Sequence, residues 1–367
     1  MEFYLVNIIL VIDAVLLTVF ILLIFTIFAY SIFNRTKRNP IELQDVKDEI
    51  LKKRALGSLN KWKRIQSILL LSDVDPENSA DILQKTLESS DEDVRYFSIL
   101  ALNRIRTSTA AKILLSTLKK RLISGYKIAS ILERFPEVEV SGPLGEGINN
   151  EDEYLKYWSL KILSKFNPYP YFETIEKLLT SHSKNIRAAA CECLGNVQNE
   201  EAIRTVKNCL SDKDWVVRMY AIRALDKLVK EKSVPLIIHF LEERHWFLKE
   251  AVKQVLLKYR EDSYPFVMDM LKKEDEKLRR DCLEILFEAD YLNDAIKGII
   301  SEDADRREES INFLRFVISK GEHYSLDGII AGRPRSERNK ILDTMEKIDK
   351  DIATHIRKKI QRKLEDI

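Results

Sequence analysis

A leucine recurs every 28 to 31 residues along this chain, at Leu71, Leu102, Leu132, Leu163, Leu194, Leu225, Leu256, Leu286 and Leu314. Seven residues before each stand Arg64, Arg95, Gly125, Lys156, Arg187, Arg218, Lys249, Arg279 and Arg307, so eight of the nine slots are basic. A fixed period of this size means units that bury an apolar face only against their neighbours. A stack of such units grows without a single central core, so 367 residues do not require two globular domains.

The units read as helical. Three residues past the basic slot stand Ser67, Ser98, Ile128, Ser159, Ala190, Ala221, Val252, Cys282 and Ser310, mostly small, where one helix must pass close to another. A second helix follows in most units, over 80–87, 110–118, 172–179, 201–210 and 234–241. Each unit is therefore a helical hairpin of about 30 residues. Ten Gly and nine Pro in the whole chain suit short connections, and 32% charged residues suit solvated helix faces.

Ahead of the repeats lies an apolar stretch from Phe3 to Phe33 whose inner part, Ala14 to Phe33, has no charge. Twenty such residues match what a helix needs to cross about 30 Å of hydrocarbon. A cleaved signal peptide would carry a basic start and a shorter core, and here the chain opens Met1-Glu2-Phe3. One retained transmembrane helix is expected, with Asp13 at its outer edge or against a partner's basic group. Arg35, Lys37 and Arg38, then Lys52, Lys53 and Arg54, follow the span, while its outer flank has no Lys or Arg. Positive charge stays inside, so the N-terminus is expected outside and the repeats in the cytoplasm. Those six residues are the candidate contacts to anionic lipid headgroups. A helix is expected from Ile41 to Ala55, capped by Asn39 with Pro40 and Glu42 in its first turn. The expected organisation is an anchor over 1–34, a basic juxtamembrane helix over 35–58 and the repeat array over 59–367.

The motifs Asp93-Val94-Arg95, Asn185-Ile186-Arg187 with Ala190 and Leu194-Gly195, and Trp215-Val216-Val217-Arg218 with Ala221 and Ala224-Leu225 resemble HEAT repeats of the short, phycobilisome-lyase-like type. The resemblance covers roughly residues 60 to 320. It implies an all-α, right-handed α-α solenoid of the HEAT or armadillo type, and says little about function because the fold serves scaffolds, chromophore-attachment factors and repair proteins alike. Nine or ten stacked units would extend over roughly 90 to 100 Å.

No catalytic, cofactor or metal site is readable. His182, His239, His245, His323 and His355 are scattered, and Cys191, Cys193, Cys209 and Cys282 fall on helical core positions without zinc spacing. No Gly-rich phosphate loop or nucleophile elbow occurs. The basic ladder suggests a polyanion track, but acidic turns precede the same helices (Asp91 to Asp93, Asp212 and Asp214, Glu274 to Glu276) and can pair with it. With 60 basic against 58 acidic residues, nucleic acid is not the expected ligand.

Trp215 and Trp246, near Arg218 and Lys249, have the composition of a protein-binding hot spot. In the third unit Gly125 fills the basic slot, and Gly142, Pro143 and Gly145 break the pattern, so an exposed contact loop is expected over 140–147. The chain thus reads as a membrane-anchored scaffold or accessory subunit whose partner is a membrane-associated protein, such as an envelope or polysaccharide-assembly enzyme. A cofactor-attachment role in the groove and nucleic-acid binding through the ladder are the alternatives.

Overall fold

The computed structural model describes residues 44–74, 76, 79–319 and 324–365. The apolar span, Asp13, Arg35, Lys37, Arg38 and the expected helix start at Asn39 lie outside the described residues. Among the described residues every regular element is helical, and no helix is long and apolar enough to cross a membrane.

The chain divides into two compact units between Leu114 and Leu115, within the helix Ser108–Lys119. In the first, the helix Gln44–Gly57 packs on Lys61–Val74, which packs on Glu92–Ile105. Ala55 is fully buried there and its carbonyl accepts from Arg64 Nε at 3.2 Å. In the second unit, Glu153–Leu163, Lys184–Leu194, Trp215–Val229, Trp246–Lys258 and Glu276–Glu288 form a row in which each touches the next. All nine periodic leucines are buried, which is why the period exists.

The small residues of the repeat meet the preceding antiparallel helix, twelve positions earlier. Thr86 Oγ1 lies 2.7 Å from Ser98 Oγ. A Cβ on Gly147 would come within 2.1 Å of Ser159 Oγ, and one on Gly298 within 1.9 Å of Ser310 Oγ. Side chains at this crossing are small because the backbones touch. Between neighbouring repeats, ion pairs recur one period apart: Lys61 with Asp93 and Arg104 with Asp73 inside the first compact unit, Lys161 with Glu192, Lys253 with Glu284 and Lys258 with Asp226 inside the second. Most are partly exposed and each contributes about 0–1 kcal/mol, so they record register more than they supply stability.

Segment 140–147 is not a loop. It belongs to the continuous helix Glu137–Ile148, with Pro143 inside and buried. The glycines serve close packing instead of bending. A Cβ on Gly145 would lie 2.3 Å from the Tyr171 ring, whose hydroxyl donates to the Ser141 carbonyl at 2.7 Å. Flanking contacts of this kind hold a helix that proline and glycine disfavour by propensity. The expected second helix over 234–241 is also irregular: a four-residue α-turn, Val234–Ile237, lies between 3-10 turns Lys230–Ser233 and Ile238–Glu242.

All four cysteines are free and buried. Burial raises the Cys193 thiol far above its ordinary range and moves Cys282 up to about 12. The Cys209 thiol is instead lowered by its hydrogen bond with Cys191, so cover from solvent is what protects all four. The native protein is expected to resist a water-soluble thiol reagent at neutral pH and to react at four sites after denaturation; rapid labelling of the native chain would contradict this packing.

Candidate interaction site

The basic ladder positions turns. Arg95 Nη1 donates to the Ser89 carbonyl at 2.7 Å, Arg187 Nη1 to Ser181 at 2.9 Å, Arg218 Nη1 to Asp212 at 2.8 Å and Arg307 Nη1 to Ser301 at 2.7 Å. Each contact reaches six residues back, satisfying a carbonyl left open where the preceding helix ends. The other edge of the guanidinium faces the next unit. Arg187 binds Asp212 at 2.8 Å and Asp214 at 2.5 Å, and Arg218 binds Glu243 at 3.0 Å. These guanidinium groups are engaged within the chain.

At the third unit Gly125 cannot play this part, and Arg121 does so. Its Nη2 lies 3.1 Å from Asp152, the acid 27 residues past the slot, just as Asp214 is 27 past Arg187. Asp152 also caps its own helix by accepting from the Leu155 amide at 2.8 Å. Gly125 is needed because the Trp158 indole occupies the place its side chain would fill.

The turn Asp212–Asp214 is held from two sides, by Arg187 on its carboxylates and by Arg218 on its carbonyls. Trp215 follows directly and begins the next helix. Its ring stacks on His245 at 5.3 Å and on Phe247 at 5.7 Å, nearly parallel to both. Trp246 meets Phe247 edge-on at 4.9 Å. Trp246 remains 64% exposed and Phe247 57% exposed. The result is an aromatic step beside a clamped turn, with Trp215 stacked on His245 and Phe247. Covering both exposed rings would remove roughly 250 Å² from water, a gross gain of about 6 kcal/mol before the costs of association.

Of the residues singled out from sequence, Trp215 and Trp246 each pack on the Phe247 ring. Arg218 and Lys249 lie beside them but are spent on Glu243 and on Asp281 at 2.5 Å. Gly142 is exposed on the helix Glu137–Ile148, whereas Pro143 and Gly145 are buried and offer no contact surface. Lys53 and Arg54 are exposed on the helix Gln44–Gly57, and Lys52 is half-buried. His245 and Phe247 were not singled out; the signal was three consecutive rings, His245-Trp246-Phe247, one period after Trp215. Among the described residues no cluster of His, Cys, Asp and Glu is arranged to hold a metal ion.

Among solved structures, an engineered protein is 14% identical, with 82% of this chain and 98% of that chain covered, at a TM-score of 0.35. The complex of CpcE and CpcF of phycocyanin lyase from Nostoc sp. PCC7120 is 17% identical, with 60% and 93% covered, at 0.33. A second engineered protein is 16% identical, with 67% and 97% covered, at 0.26. No curated protein matches the chain. The sequence model of HEAT repeats matches residues 49–132, 141–225 and 205–286, more than half of the chain. The chain belongs to the HEAT-repeat family.

Proposed function

We propose that this chain is a membrane-tethered scaffold that holds a membrane-associated protein on the aromatic step of Trp215, His245, Trp246 and Phe247. The observation that carries the reading is the exposure of Trp246 and Phe247 beside a turn pinned by two arginines. HEAT repeats generally mediate protein–protein interaction, and a step of aromatic rings on a rigid helix end is the composition such contacts favour. The tether is the uncharged run Ala14–Phe33, and the basic flank Arg35, Lys37, Arg38, Lys52, Lys53 and Arg54 supports a cytoplasmic repeat domain facing anionic headgroups. Tethering confines the step to the membrane plane and raises its effective concentration toward a membrane partner.

The test is purification of the tagged full-length chain from native membranes in mild detergent, followed by mass spectrometry. An integral membrane protein is expected with the wild type and is expected to fall at least tenfold with the Trp246→Ala, Phe247→Ala double variant, since hot-spot truncations cost about 2 kcal/mol or more each. A Phe266→Ala variant, exposed elsewhere on the second unit, is expected to retain it. Full retention by the double variant places the contact elsewhere.

A further inference from the structure

A cavity of about 350 Å³ opens among the helices Arg260–Leu271, Tyr291–Gly298 and Ala304–Ser319, apart from the aromatic step. That volume suits one side chain or a small organic molecule. Its wall is a ring cluster: Tyr264 lies 4.8 Å from Tyr291 and 5.9 Å from Phe313, both tilted. The cluster is fixed, because the Tyr291 hydroxyl donates to the Arg260 carbonyl and Phe313 is buried.

The charges around it are unevenly used. Arg260 pairs with Asp294 and lies over the Tyr291 ring at 4.5 Å, so one guanidinium of the chain already sits against this cluster. Glu261, Glu309 and Arg306 line the same cavity, and among the described residues their side chains make no ion pair. Burial raises the Tyr264 hydroxyl, and Glu309 and Tyr291 raise it further. Two uncompensated carboxylates and one uncompensated guanidinium leave the opening net acidic. Aromatic faces with carboxylates at the rim attract a desolvating cation through the ring quadrupole and through charge.

We infer that this cavity binds an organic cation, a guanidinium or alkylammonium group, seated against Tyr264 and drawn by Glu309 and Glu261. The group is supplied either by an Arg or Lys side chain of a protein or by a free small amine. Arg306 stands on the rim as a like charge and weakens the site it borders.

This assignment makes the sign of two exposed charge substitutions diagnostic. The experiment titrates the full-length chain in detergent with Nα-acetyl-arginine amide, by saturation-transfer NMR and calorimetry, with inorganic phosphate as the anionic comparison. Saturable binding of the cation is expected. Glu309→Gln should weaken it about threefold to tenfold, Tyr264→Leu by a similar factor, and Arg306→Ala should tighten it. Glu309 and Arg306 are exposed, so those two variants are expected to keep the wild-type circular dichroism and melting temperature, and they decide the question even if Tyr264→Leu disturbs packing. An eight-residue Arg-containing peptide binding more than tenfold tighter than spermidine identifies a protein side chain as the source; the reverse order identifies a free amine. No saturable cation binding at tens of millimolar, saturable phosphate binding weakened by Arg306→Ala, or charge variants acting in the opposite sense would overturn the inference.

Discussion

Arg187→Leu is expected to cost about 3–5 kcal/mol of stability, the largest loss from any single charged residue of the second unit. Arg187 is only 4% exposed, and its guanidinium donates to the Ser181 and His182 carbonyls as well as to Asp212 and Asp214. Removing it leaves two carboxylates and two carbonyls without their donor in a partly dry turn. An exposed pair such as Lys272 with Asp269 has little to lose by comparison, because water already solvates both partners. Arg187→Lys keeps the charge but not the planar fork, so an intermediate loss is expected.

The same pair sets a pH dependence. Burial by itself raises the Asp212 carboxyl, but the hydrogen bonds from Arg187 and from the Asp214 amide outweigh it and hold the group below its ordinary value. A lowered carboxylate pKa contributes stability that is complete above the unfolded value, near 4, and is lost as pH falls through the folded value. Chemical denaturation of the wild type and of Arg187→Leu should therefore differ most at neutral pH and converge in acid. A difference that stays constant from neutral pH to about pH 2 would show that the cation acts through packing alone.

Gly125→Arg, which would restore the basic residue of every other unit, is expected to destabilise by about 3 kcal/mol or more. A Cβ at this position would lie 1.9 Å from the Trp158 indole. The indole is itself packed edge-on against Tyr154 at 6.1 Å and Tyr157 at 5.3 Å, so yielding costs the contacts of a large ring. The acid that a basic residue here would hold is already bound by Arg121, so the new side chain gains no partner. Trp158→Leu in the same background should recover part of the loss. A melting temperature that rises in Gly125→Arg would mean that the indole moves freely and that the repeat pattern, not the contact, governs this position.

These two positions show how far the chain was legible as a sequence. The period of the leucines and of the basic slot carried the hairpin stack, because a stacked unit must present the same buried face once per turn of the array. The small residues three past the slot were readable as a close crossing for the same reason, and Ser98, Ser159 and Ser310 each lie at one. What the sequence left open at the third unit was decided by neighbours remote along the chain. Gly142, Pro143, Gly145 and Gly147 have the local chemistry of a loop, and local propensity amounts to about 1 kcal/mol per glycine and 3 per proline. Tyr171 and Ser159, packed against Gly145 and Gly147, favour the helix instead.

The candidate site divides in the same way. Trp215 and Trp246 stood out by residue type, but what joins them is Phe247, which packs on both, beside the turn that Arg187 and Arg218 clamp. The sequence by itself determined the repeat, its helical hairpins and the apolar run ahead of them, since periodicity and hydropathy are properties of neighbours in the chain. Only the tertiary structure decided which arginines are spent on turns, which glycines make room for rings and where unpaired charge surrounds a cavity, because each depends on groups that folding brings within a few ångströms of one another.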